Sequence, residues 1–193
     1  LNGTPWPLDR RAMASYLGFD GIVDNAYDAG QISAVDVPVE AGLKLAGPLL
    51  HVTQFIQDVM TQYAQPRPWI LVTSTYASSA MPQKRNPGSL IDVRRDANEV
   101  LGRISSILFR AHDLAPGMYD VKDEQLNRTI LADAARVLEA FAGVLGMLRV
   151  NAKRALEELN LDWTASQNIA DVMMQRFGIP FREGHRFASE LVT

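Results

Sequence analysis

The sequence predicts an all-α protein, a bundle of long helices followed by a small helical C-terminal domain. Three observations carry this expectation. Apolar residues recur at alternating steps of three and four over three separate stretches, the spacing of a packed helix face. No segment alternates apolar and polar residues over the length of a convincing strand. After residue 150 the long stripes give way to short runs punctuated by capping residues, glycine and proline.

The first element is "PLDRRAMASYLGFDG", a short helix with Asp9 in its first turn and Gly18 near its end. "VDNAYDAGQISAVDVP" is polar and punctuated, which predicts a loop with one helical turn at most. From about Val39 to Gln65 the pattern is helical, with Leu45, Leu49, Val52, Ile56, Val59 and Tyr63 on one stripe. Pro48 removes a backbone donor inside that stripe and is expected to kink the helix, and "QPRPW" stops it. The second long helix carries Leu90, Val93, Ala97, Val100, Ile104, Ile107 and Ala111. Asn86 is its expected N-cap, with Pro87 at the first helical position. "LAPGMYD" ends it, and a third helix runs to about Val150 with Ala134, Leu138, Phe141, Leu145 and Leu148 on its stripe.

Beyond Val150, "NAKRALEELN" is a short helix that Asn151 can cap. "TASQ" from Thr164 has capping-box spacing ahead of "NIADVMMQRF". Gly178 closes that helix, Pro180 follows, and "FREGHRFASELV" begins another. Residues 1–150 therefore form the expected bundle portion and residues 151–193 the start of the small C-terminal domain. The long helices, roughly 40 Å each, exceed what a compact domain of this length accommodates. The bundle is expected to be completed by other segments or subunits.

Composition narrows the function classes. Hydrophobic residues make up 47% and charged residues 21%, which is globular. A net charge of −3 provides no basic field for nucleic acid. The absence of cysteine excludes disulfides and thiolate metal sites, and fits a reducing compartment and a cytoplasmic location. No apolar run approaches the ~20 residues that cross a bilayer. The opening "LNGTPWPLDR" has neither an initiator Met nor a leader pattern and reads as the interior of a longer protein. His51, His112 and His185 are isolated, without metal spacing, so no metal or cofactor is expected. Arg94 and Arg95 are expected in salt bridges.

The stretch without helix or strand period is "TYASSAMPQKRNPG", residues 75–88. It reads either as a polar connector that caps the following helix or as a binding loop. Two serines, a lysine and an asparagine lie close together there, next to a helix N-terminus whose free N–H groups suit a carboxylate or phosphate.

Resemblance separates these readings. "SSAMPQKRNP" resembles the signature of the fumarase/aspartase superfamily, G-S-S-x-M-P-x-K-x-N-P, departing at the leading glycine, where Ala77 stands. "GTPWPLDR", "LGFDGIVDNAYDA" and "GIPFREGHRFASELV" resemble argininosuccinate lyases in the same order, over essentially the whole chain and as the C-terminal part of a lyase at least twice as long. The resemblance implies β-elimination from a succinyl compound with release of fumarate, without a cofactor. It implies Ser78 as the base and Lys84 and Asn86 as ligands of substrate carboxylates. Met81 would belong to the part of the loop that closes over substrate, with Ser79 assisting and Tyr119, in "APGMYDVKD", contacting substrate. It further implies a homotetramer with shared active sites. A threonine–histidine pair and other site segments would come from N-terminal sequence absent here.

Two departures bear on the substrate. Glu124 and Asn127 stand where argininosuccinate lyases usually carry glutamine and lysine, and Ile32 and Ser33 replace charged residues of an S-D-R-D run. The resemblance implies that these positions handle the amine side, so an aminopolycarboxylate or another N-substituted aspartate is an alternative substrate. A non-catalytic scaffold that keeps the motif is the alternative of a different class. The intact Ser78, Lys84 and Asn86 favour the enzyme.

Overall fold

The computed structural model describes residues 4–81, 83–115, 118 and 120–192. Helix α1 spans Arg10–Tyr16. Asp9 precedes it as the N-cap, its carboxylate accepting from the Ala12 N–H at 2.9 Å. Gly18 follows at φ +79°, where a side chain would be strained.

The expected loop before Val39 is instead largely helical. A π-helical stretch at Asp28–Ile32 leads directly into α2, Ser33–Tyr63. Asn25 explains the early start: its side-chain oxygen accepts from the N–H groups of Tyr27 at 3.0 Å and Asp28 at 3.2 Å. The turn-forming composition of this segment therefore caps a helix rather than building a loop. The helix contains both Pro38 and Pro48.

Leu49, Val52, Ile56 and Val59 of α2 are buried as the stripe predicts. Helix α3, Gly88–Ala111, buries Leu90, Val93, Ala97, Val100, Ile104 and Ile107. Helix α4, Glu124–Met147, departs from its expected stripe. Its buried apolar face is Ile130, Ala134, Val137 and Val144, whereas Leu145 is 43% exposed. Asp133 on the same face is buried and bonded to Arg103 of α3 and to Arg136. Apolar residues cover a wide arc of α4, and this ion cluster helps to fix which part of the arc turns inward.

Four short strands among the described residues correct the expectation of none. Strand β1, Ile70–Val72, pairs antiparallel with β4, Leu148–Val150, in the register Ile70↔Val150. Leu148 thus leaves the helix it was expected to join. Strands β2, Tyr76–Ala77, and β3, Arg85–Asn86, pair as Tyr76↔Asn86 and Ala77↔Arg85. Two or three residues are too few for alternation to appear in sequence.

The chain divides into two compact units. The first, residues 1–57 and 76–146, contains α1, most of α2, β2, β3, α3 and all of α4 but Met147. Within it, a Cβ on Gly42 of α2 would lie 3.3 Å from Ile104 of α3. Phe55 of α2 meets Phe141 of α4 edge to face at 5.5 Å.

The second unit joins residues 58–75 to 147–193. Its α5, Ala152–Leu161, is capped by Asn151, which accepts from the Arg154 N–H at 3.1 Å. Glu158 of α5 ties the two segments together. It accepts from Gln62 at 3.0 Å and from the Trp69 indole at 3.2 Å, and pairs with Arg154 at 2.7 Å. Helix α6 spans Ser166–Phe177 and α7 spans Phe181–Val192. The expected Thr164 cap does not form. The Thr164 hydroxyl donates backward to the Leu159 carbonyl at 3.1 Å, and Ala165 occupies the cap position. Gly178 ends α6 at φ +68°, as its position after the helix predicts. No helix among the described residues is long and apolar enough to cross a membrane.

Candidate active site

The β2–β3 pair is the base of a short hairpin that presents the signature loop. One rung beyond the strands, the Ser78 N–H donates to the Lys84 carbonyl at 3.2 Å. Inside the loop the Lys84 N–H donates to the Met81 carbonyl at 2.9 Å. Ser78 Oγ turns into this enclosure and accepts from the N–H groups of Ala80 at 3.3 Å and Met81 at 3.2 Å. Both donors are backbone groups held by the turn, so they face the oxygen without a side-chain rearrangement. The hydroxyl can therefore carry negative charge more readily than an isolated serine. The leading alanine fits here because Ala77 is a strand residue. Among the described non-glycine residues only Asp113 and Trp163 have positive φ.

The other loop residues divide by exposure. Ser79, Met81 and Lys84 are exposed, while Ser78 and Asn86 are half-buried. The Lys84 ammonium forms no ion pair among the described residues. Asn86 does not cap α3, as its position before Pro87 suggested. Pro87 occupies the cap position with ψ 70°, and Asn86 is a strand residue whose amide donates to the Tyr76 carbonyl at 3.3 Å. One of its two amide hydrogens is thereby committed, leaving the other for a ligand. Tyr119 lies outside the described residues.

The structure brings departing positions from both groups together, Ile32 excepted. Ser33 of α2 and Glu124 and Asn127 of α4 line one cavity of about 550 Å³, with Lys122, Arg128 and an apolar wall that includes Val37 and Leu131. Asn127 is fixed there, donating to the Val121 carbonyl at 3.0 Å and accepting from Arg110 at 2.9 Å. Lys122 and Arg128 were not singled out in the sequence, since isolated surface-type cations give no signal until the fold groups them.

Arg95 forms the expected salt bridges, whereas Arg94 bonds an amide. Arg94 donates to Gln57 at 2.9 Å. Arg95 bonds Asp96 and Asp92, and these carboxylates, Asp96 foremost, strengthen its hold on its proton. His51, His112 and His185 are all exposed. Sequence reasoning passed over Tyr76 and Gly88, which flank the loop in contact with each other. A glycine at the first position of a long helix, where better helix formers are available, was the one signal of that contact.

Comparison with known proteins agrees with this fold. No protein-family model matches the chain. An argininosuccinate lyase of Herpetosiphon aurantiacus is 33% identical over 198 residues, covering the whole chain and 42% of that protein. Argininosuccinate lyases of Bacillus cereus and Candida albicans are each 31% identical over the whole chain, with 42% and 41% of their own lengths covered. The chain thus spans less than half the length of these relatives and corresponds to their C-terminal part. Two solved structures share the fold. EDDS lyase in complex with formate superposes with a TM-score of 0.70 at 25% identity, covering 98% of this chain and 38% of that one. A variant of EDDS lyase with bound fumarate gives 0.68 at the same identity and coverage. With a signature loop, a helical fold and whole-length similarity in agreement, the chain belongs to the fumarase/aspartase superfamily, alongside the argininosuccinate lyases.

Proposed function

We propose that this chain is the C-terminal part of a carbon–nitrogen lyase that cleaves argininosuccinate or a similar N-substituted aspartate and releases fumarate. The observation that carries the reading is Ser78 Oγ, held by two backbone N–H groups inside the signature loop. Ser78 removes a proton from the carbon next to a substrate carboxylate. The electron pair left behind spreads onto that carboxylate, giving a doubly charged intermediate. It then forms the fumarate double bond as the C–N bond breaks and the nitrogen takes its electrons. Lys84 and the free hydrogen of the Asn86 amide stabilise the accumulating charge, the interaction that strengthens most along the reaction. Met81 and Ser79 shape the loop over the substrate, and Tyr119 contacts it. The leaving amine receives its proton from a group outside this chain, in a site shared among the subunits of a homotetramer. The complete protein acts in the cytoplasm.

A second reading of the substrate rests on the cavity lined by Ser33, Glu124 and Asn127. Lys122 and Arg128 give it two cations against the single acid Glu124. That balance suits a leaving amine that itself bears carboxylates, an aminopolycarboxylate, better than one ending in a guanidinium group. A variant of EDDS lyase, which shares this fold, has been solved with bound fumarate, the product that both readings require. The test is fumarate release by the complete polypeptide, followed by ultraviolet absorbance, across a panel of N-substituted aspartates with cationic, neutral and anionic amines. Release from anionic members alone supports the second reading. Release from argininosuccinate supports the first. No release from any member contradicts the lyase reading and leaves the non-catalytic scaffold.

A further inference from the structure

We infer that Tyr76 is a positioning residue of the elimination site, acting through Asn86, and that Gly88 exists to seat its ring. The inference rests on the lyase reading above but on separate observations. A Cβ added at Gly88 would lie 2.9 Å from Tyr76 Cε1 and 3.0 Å from Cδ1, closer than carbon atoms pack. Gly88 is not one of the described glycines with positive φ, which are Gly18 and Gly178, so backbone freedom does not require glycine there. Space for the ring does. The ring thus lies against the start of α3 on one side, while Tyr76 as a whole remains 58% exposed.

The backbone of the same residue does the positioning. Tyr76 pairs with Asn86 across β2 and β3, and its carbonyl accepts the Asn86 amide at 3.3 Å. An amide bonded to a main-chain oxygen cannot rotate freely, so its second hydrogen has a defined direction. The next closing contact is Ser78 N–H to the Lys84 carbonyl. The Tyr76 ring therefore anchors, at the helix end, the strand pair that sets Asn86 and closes the loop around Ser78. A loosened anchor turns Asn86 away from the carboxylate it holds, in substrate and fumarate alike. Small displacements of such groups are costly because binding and orientation depend on them.

The experiment compares variants of the complete polypeptide with the wild type, reading kcat, KM and the fumarate inhibition constant, with circular dichroism and melting as fold controls. Gly88→Ala displaces an exposed ring and leaves the helix intact, so it should fold. It should raise KM and the fumarate inhibition constant together by about tenfold. Tyr76→Ala should do the same, and Tyr76→Phe, which keeps ring and carbonyl, should behave as wild type. The double variant Tyr76→Ala/Gly88→Ala should be no worse than Tyr76→Ala, since the methyl group then has room. A merely structural role would lower the active fraction and kcat without moving either constant. Unchanged constants in Gly88→Ala or Tyr76→Ala, an additive double variant, or a Tyr76→Phe defect as large as that of Tyr76→Ala would each overturn the inference. A wild type that releases no fumarate overturns the lyase reading itself, and this inference with it; an active wild type with insensitive variants overturns this inference alone.

Discussion

Ser78→Ala in the complete polypeptide tests the base directly. In the resting loop the Ser78 hydroxyl accepts from the Ala80 and Met81 N–H groups at 3.3 and 3.2 Å. A neutral hydrogen bond contributes roughly 0.5–1.5 kcal/mol and one to a charged group roughly 1.5–3 kcal/mol. Only the difference favours the alkoxide, about 1–1.5 kcal/mol per donor and so about 2–3 kcal/mol for the pair. That raises the alkoxide population roughly 30- to 150-fold. Two donors alone leave a serine a weak base, so nearby cations must supply the rest, and Lys84, which forms no ion pair among the described residues, is the candidate on this loop. Removing Oγ abolishes the base and its donors' effect together, and turnover should fall at least ~10²-fold, the usual scale of a lost general base. KM should change little, because no carboxylate contact is touched. The assay is fumarate release under saturating substrate, beside a melting curve that shows the fold kept. Near-normal turnover by a folded Ser78→Ala protein would remove Ser78 from the mechanism.

Three further predictions address binding, assembly and packing. Lys84→Met should weaken substrate and fumarate together, by ~1.5–3 kcal/mol for a lost charge-assisted contact; an unchanged fumarate inhibition constant would contradict its role. The 193-residue chain alone should associate into a helical oligomer, a tetramer by light scattering, yet release no fumarate until the N-terminal part of the lyase is supplied, because groups acting as a unit lose most of their effect when one is missing. A monomer would refute the first half and turnover by the chain alone the second. Gly184→Ala should destabilise the C-terminal unit by about 1–3 kcal/mol through overpacking. The added Cβ would sit 2.9 Å from the Ala170 backbone, which cannot swing aside as an exposed ring can. An unaltered melting temperature would show that α6 and α7 separate at little cost.

Some features were determined by the sequence alone because their physics is local. The α3 stripe is buried from Leu90 to Ile107 as its three–four spacing requires, and only its last member, Ala111, is half-buried. Asn151 caps α5, and Gly178 ends α6 in the left-handed region where glycine carries no penalty. The signature loop was legible for a related reason: an unusual run of residue types at fixed spacing identifies a family without any contact being known. Other features needed the fold. The polar segment before α2 reads as loop until Asn25 is seen capping it. The inward arc of α4 became apparent only with Asp133 paired to Arg103, thirty positions away. Strands of two or three residues exist only as partners, Ile70 with Val150 and Tyr76 with Asn86. The same holds at the site. Spacing placed Ser78, Lys84 and Asn86 on one loop, but the two N–H groups aimed at Ser78 Oγ, and the Tyr76 ring against Gly88, arise from how the chain turns back on itself. Periodicity, capping and motif are properties of neighbours in the chain, whereas a closed loop, a paired strand and a seated ring are properties of neighbours in space.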